Sequence, residues 1–331
     1  LKILFYILLL FTVIVFSACS SKEVYKPVFV QDDWKHFGDS NVTINDISAN
    51  AALVENHKVL VDKKVIDIKI PKTHKLLGYS DGWILSSSID GNLTLVYAAD
   101  RNMTEEFDLK RTIATASVKN DLLAVLFSNN EMALYSIASK SLLLKEQGEA
   151  PIVVNSKIVK PYFKDDLVIF STLDGKIVII NSKEKKKLRS VIVSSEKHFN
   201  NVIYFNLIDN KIIAATGHKI LSLSQKEIRS AYDIRNIVAD DKSIYLATKQ
   251  GEIISLTSDL QQNAKLKFPF AHFLGMIISG DKLYVLEKEG YIIEITKDLL
   301  KYTVYEVDID DGYVYIDDKI FFVDNKYISV E

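Results

Sequence analysis

Between Ser243 and Thr257 the chain runs Ser-Ile-Tyr-Leu-Ala-Thr-Lys-Gln-Gly-Glu-Ile-Ile-Ser-Leu-Thr, two apolar runs parted by a short polar stretch. The runs are rich in β-branched and aromatic residues, and Gly251 can take the positive φ of a tight reversal, so the stretch predicts a β-hairpin. The pattern returns at 281–296 and 167–181, and weaker copies fill most of the chain. The first polar turn of each copy falls at Asn56, Asp81, Asn120, Asp165, Asp209, Asp240, Gly280 and Asp317, with spacings of 25, 39, 45, 44, 31, 40 and 37 residues. A second turn follows each first one, most clearly at Asp90-Gly91, Asp174-Gly175 and Glu289-Gly290.

A recurring unit of about four strands with a period near 40 residues predicts an all-β fold, an eight-bladed β-propeller. Seven blades is the alternative, because the unit around Asn56 is weak. The final unit has three strands and lacks its outermost one. A strand lent from the N-terminal side would fill that edge and close the ring. Asn41–Asn45, which alternates, is the first candidate; Val24–Val30 is the second, with Pro27 tolerable only at an edge. No stretch after Cys19 sustains an i, i+3, i+4, i+7 apolar pattern over three turns, which disfavours an α/β enzyme fold.

Composition sharpens this picture only in places. The 331 residues are 48% hydrophobic and 25% charged, with 16 Tyr and 16 Phe but only 5 Pro, which suits a strand-rich globular protein. A formal net charge of −2 gives no global case for nucleic acid. The single cysteine, Cys19, allows no internal disulfide.

Cys19 ends an apolar run, Ile3–Phe16, that is too short to span a membrane and is preceded by Lys2. Phe16-Ser17-Ala18-Cys19 resembles the cleavage site of bacterial lipoprotein signal peptides, with Phe16 where Leu is usual. The resemblance implies a lipid on Cys19 and a mature protein outside the cytoplasm; Ser20 next to it resembles outer-membrane sorting. The chain then divides into a signal peptide at 1–18, a lipidated tether at 19–40 and a propeller at 41–331.

The segments around Asp90-Gly91, Asp174-Gly175 and Gln250-Gly251 are similar to the repeat of quinoprotein-like propellers: a small residue, one variable position, Asp-Gly or its equivalent, then alternating apolar residues. A lipoprotein of this size built from such repeats resembles the BamB family of outer-membrane β-barrel assembly lipoproteins. That resemblance implies a periplasmic scaffold whose partners are envelope proteins, among them the barrel-assembly machinery. The quinoprotein repeat normally ends in a Trp that locks adjacent blades. Here there are only Trp34 and Trp83, so Tyr204, Tyr245, Tyr284, Tyr313 and Phe321 are candidates to fill the space between blades.

Candidate chemistry is sparse. The six histidines, His36, His57, His74, His198, His218 and His272, show no pair at metal-ligand spacing. Asp308-Ile309-Asp310-Asp311-Gly312 hints at a calcium loop, but Gly is one place early and Lys319 stands where a bidentate Glu is needed. No nucleophile elbow or phosphate-binding loop is present. The sequence therefore predicts a non-enzyme with no cofactor, metal or catalytic residue, and Cys19 as its one modified site. A ligand-binding or sensor propeller is the alternative function. Two surface features stand out: the basic run Lys183–Arg189, expected in the hairpin between the third and fourth strands of a blade, and the first turns. In a propeller the first turns open around one mouth of the channel. Asp81, Asp121, Asp165, Asp166, Asp209, Asp240, Asp241, Asp281, Asp317 and Asp318 would then form an acidic ring, with ordinary turn chemistry as the competing explanation.

Overall fold

The computed structural model describes residues 23–330. Thirty-two strands form eight four-stranded antiparallel sheets. Seven of these blades take consecutive strands, the first from β2 (Ile44–Ile47) to β5 (Lys64–Ile66). The eighth runs β30 (Val314–Asp317), β31 (Ile320–Val323), β32 (Lys326–Ser329) and then β1 (Phe37–Asp39). The ring is therefore an eight-bladed β-propeller closed by an N-terminal strand, as the repeat implied. Among the described residues the only helical element is the 3₁₀ turn Glu55–His57, and no helix is long and apolar enough to cross a membrane.

The core explains why the strands read as near-continuous apolar runs. It is divided into eight clusters, and each is shared by two neighbouring blades. Because successive side chains point to opposite faces of a sheet, one strand feeds two clusters. In β23 (Ser243–Thr248), Ile244 and Leu246 pack towards the fifth blade while Tyr245 and Ala247 pack towards the seventh. Tyr245, Tyr284 and Phe321 are buried between blades and Tyr204 partly so, as expected, whereas Tyr313 is exposed. Trp83 also packs between blades, edge-on to Tyr97 at 5.3 Å.

Turn chemistry accounts for the small residue of the repeat. Ser88 Oγ accepts the Asn92 amide, Thr172 Oγ1 the Lys176 amide and Thr248 Oγ1 the Glu252 amide, at 2.9–3.1 Å, each across the turn after the second strand. A hydroxyl at that place satisfies a backbone N–H that the reversal would otherwise leave unpaired. In the seventh blade Glu287 takes this position, accepting from the Glu289 and His272 amides. It is fully buried, and burial pushes its carboxyl above the usual range.

Closure differs from expectation in its place. Phe37, Gly38 and Asp39 pair with Ile328, Tyr327 and Lys326, so the closing strand lies inside the stretch read as tether. Asn41–Asn45 instead leads into β2, the innermost strand of the first blade, and Val24–Val30 forms no strand. Ahead of β1 the chain is strapped along the outer edge of the seventh blade. The Gln31 amide donates to the Val304 carbonyl (2.9 Å), the Trp34 amide to the Glu306 carbonyl (2.8 Å), and Trp34 Nε1 to the Ser329 carbonyl (2.9 Å).

Candidate functional site

The first turns do follow the innermost strands, but many of their acids are engaged within the ring. Asp81 Oδ2 accepts the Asn120 amide at 2.7 Å, and Lys119 lies 3.7 Å from the same carboxylate. Asp317 accepts the Lys63 amide at 2.6 Å while the Lys63 ammonium pairs with Asp318 at 2.5 Å. Asp240 pairs with Lys297 at 2.7 Å. These are clasps from the second blade to the third, the eighth to the first and the sixth to the seventh. Asp121 turns inward on its own blade, accepting the Ala138 amide and the Ser136 hydroxyl, which hold its carboxyl below the usual range. Asp165, Asp166, Asp209, Asp241 and Asp281 make no side-chain hydrogen bond or ion pair among the described residues. The mouth is thus acidic at some turns and stitched at the rest.

The channel itself is crossed by lysines. A long connection between the third and fourth blades, held by Asn201 through the Asn155 amide (2.6 Å) and the Lys157 carbonyl (2.8 Å), carries Lys157 and Lys160. Lys160 Nζ donates to the Tyr79 carbonyl at 2.8 Å, on β6 (His74–Ser80), the innermost strand of the second blade. Lys157 Nζ donates to the Arg235 carbonyl at 3.0 Å and to Asn236 Oδ1, on β22 (Ile234–Ala239), the innermost strand of the sixth. Arg235 is the extra residue of a bulge in β22, a position held by Asn45, Leu77, Ala114 and Leu274 in four other blades. A bulge re-aims a side chain; here the guanidinium reaches the His272 ring. Neither lysine has an ion-pair partner among the described residues.

Lys157 is reached by solvent yet surrounded by protein, the situation of a group inside a wet channel. That surround, together with repulsion from Arg235, brings its pKa down to about 8. A lowered lysine pKa means more neutral amine at a given pH, so at pH 8 Lys157 should be acylated on the order of tenfold faster than the exposed Lys183. Mass spectrometry after brief exposure to acetic anhydride measures this, and equal rates would contradict the environment described. These lysines are almost invisible in the sequence: the one signal is the 45-residue interval before Asp165, the longest of the series.

The basic run is placed differently from expectation. Lys186–Ile192 is the outermost strand of the fourth blade rather than a hairpin loop, and only Lys183–Lys185 turn into it. Lys187 pairs with Glu146 of the third blade and Arg189 with Glu227 of the fifth, both at 2.5 Å. Such exposed pairs contribute about 0–1 kcal/mol each. The acids of 308–311 are likewise met by lysines, Asp308 and Asp310 by Lys326 and Asp311 by Lys288. Among the described residues no cluster of three metal-ligating side chains exists. Cys19 lies outside the described residues.

On the outer rim, between the sixth and seventh blades, the N-terminal strap and the blades together enclose a groove of about 640 Å³. Val24, Pro27 and Val28 form one wall, and Phe268, Pro269, Phe270 and Tyr302 the other. Tyr25 is the wedge that fixes the strap, 5% exposed and edge-on to Phe268 at 6.0 Å and to Tyr291 at 5.7 Å.

No family model matches the chain. It is 28% identical to the plasminogen-binding protein PgbB of Helicobacter pylori strain J99, over 85% of this chain and 61% of that protein, and equally to PgbB of strain 26695 over 60% of it. The chain thus spans about three fifths of the length of these curated relatives. Among solved structures it is similar to BamB from Moraxella catarrhalis, with a TM-score of 0.67 at 10% identity over 88% of this chain and 98% of that one. It is also similar to the C-terminal WD40 domain of Sif2, with a TM-score of 0.65 at 13% identity over 92% and 99%. At such identities the structural likeness shows a shared propeller fold, BamB-like in arrangement, and nothing further.

Proposed function

We propose that the chain is a non-catalytic, protein-binding propeller of the bacterial cell envelope, lipid-anchored through Cys19 to the outer membrane and facing the periplasm. The observation that carries this reading is the likeness, across 85% of the chain, to relatives named for binding a protein. The BamB-like ring supports it by offering two broad faces of loops on a frame fixed by interblade packing. A component of the β-barrel assembly machinery is the favoured partner, as the family resemblance implies. Plasminogen is the second, favoured by the PgbB likeness alone.

Crosslinking in intact envelopes, followed by affinity recovery of the tagged protein, tests the first partner; binding of purified plasminogen to the immobilised protein tests the second. Recovery of the barrel-assembly core supports the assembly role. Recovery of neither partner, with normal outer-membrane protein levels in a deletion strain, would end the scaffold reading.

A further inference from the structure

The rim groove, and Phe29 on the strap beside it, present large apolar side chains to solvent. Val28 is fully exposed, Phe29 68%, Phe270 59% and Tyr302 51%. Phe270 also holds a left-handed backbone conformation (φ 64°), rare for a bulky residue. Lys26 and Lys267 border the same groove, and exposed Lys301 adjoins Tyr302. Exposed aliphatic and aromatic side chains rimmed by three lysines, against the single acid Glu23, are the composition of a surface that enters the headgroup layer of an anionic bilayer.

The course of the chain points the same way. Glu23 borders the groove, and Cys19 stands four residues before it. Four residues reach at most about 14 Å. Tyr25, wedged between blades, holds the described part of the expected tether on the ring.

We propose that this rim is a membrane-docking surface. Val28, Phe29, Phe270 and Tyr302 enter the headgroup boundary, Lys26, Lys267 and Lys301 lie over anionic headgroups, and the ring stands on edge with its sixth and seventh blades against the bilayer. Both faces of the propeller then stay open to partners. The orientation rests on Cys19 carrying the lipid.

The test uses the full-length lipidated protein in vesicles of phosphatidylethanolamine and phosphatidylglycerol. An acylated Cys19 does not react with maleimide, so Val28→Cys and, across the ring, Ile89→Cys (75% exposed in the native protein) each take a single environment-sensitive fluorophore. The label at position 28 should shift to the blue, be quenched by a lipid-borne nitroxide, and be several-fold less accessible to aqueous iodide than the label at 89. With Cys19 blocked, equal iodide access at both positions would overturn the proposal. Shielding in whole envelopes that is absent in vesicles of the lipidated protein alone would also overturn it, since a protein would then be the occupant. Uptake of maleimide by Cys19 itself would mark failure of the anchor reading, and the orientation would fall with it.

Discussion

A chain that starts at Asn41 should unfold at a much lower urea concentration than the whole chain, and should aggregate. Removing the preceding residues takes away β1, leaving the backbone of β32 unpaired along one edge. Exposed edges of this kind template pairing with other chains. The same cut removes Trp34, whose ring lies 5.0 Å from Tyr305 and 5.9 Å from Tyr284, and Phe37, which packs on the core shared by the seventh and eighth blades. Losing one large aromatic from a core costs about 3–5 kcal/mol, and the truncation removes three, the buried Tyr25 and the partly buried Trp34 and Phe37, with the hydrogen bonds of the strap. We expect a loss of at least about 5 kcal/mol, against total stabilities of roughly 5–15 kcal/mol for a domain. Trp34→Ala in the whole chain should show a smaller part of it, about 2–3 kcal/mol. A truncated chain with an unchanged urea midpoint would show that β1 is an ornament on a ring that closes without it.

Gly251→Ala should destabilise the ring by about 2–4 kcal/mol, and Gly280→Ala by only about 1 kcal/mol. Both glycines have positive φ, +77° and +60°, so both substitutions bear the backbone penalty. They differ in space. A Cβ on Gly251 would stand 2.3 Å from the Phe268 carbonyl oxygen, whereas one on Gly280 meets nothing within 4 Å. The Phe268 backbone cannot retreat easily, because its amide donates to the Gly251 carbonyl at 2.8 Å. Asn120 and Asp209 already occupy the turn matching Gly280 at φ 51° and 50°, which shows that side chains are accepted there. Chemical denaturation of the two variants side by side separates the contributions, and equal losses would remove the steric term.

The turns were the most readable part of this protein because their chemistry is local. Asp, Asn, Gly and a hydroxyl at fixed offsets specify a reversal from within a few residues, so Ser88, Thr172 and Thr248 announced their blades. The closing strand is hard to place from sequence because Phe37-Gly38-Asp39 is too short to alternate, while Asn41–Asn45 does alternate and belongs to the approach to the first blade. The acidic first turns were visible as acids, but not the lysines that engage them. Lys63, Lys119 and Lys297 reach their partners only because one blade stands beside the next. Lys157 and Lys160 find acceptors two blades away across the channel, a relation no periodicity encodes.

The bond from Trp34 to Ser329 joins residues 295 positions apart. Contacts between sequence-distant segments slow folding, because the loop between them must be closed before the contact rewards it. During synthesis the strap precedes all eight blades, and it must wait, unpaired, for the eighth. Until then the last blade made keeps an uncovered apolar face, because each core cluster needs two neighbouring blades. The same seam that holds the finished ring therefore makes its biogenesis an all-or-nothing event, completed only once β32 has been made.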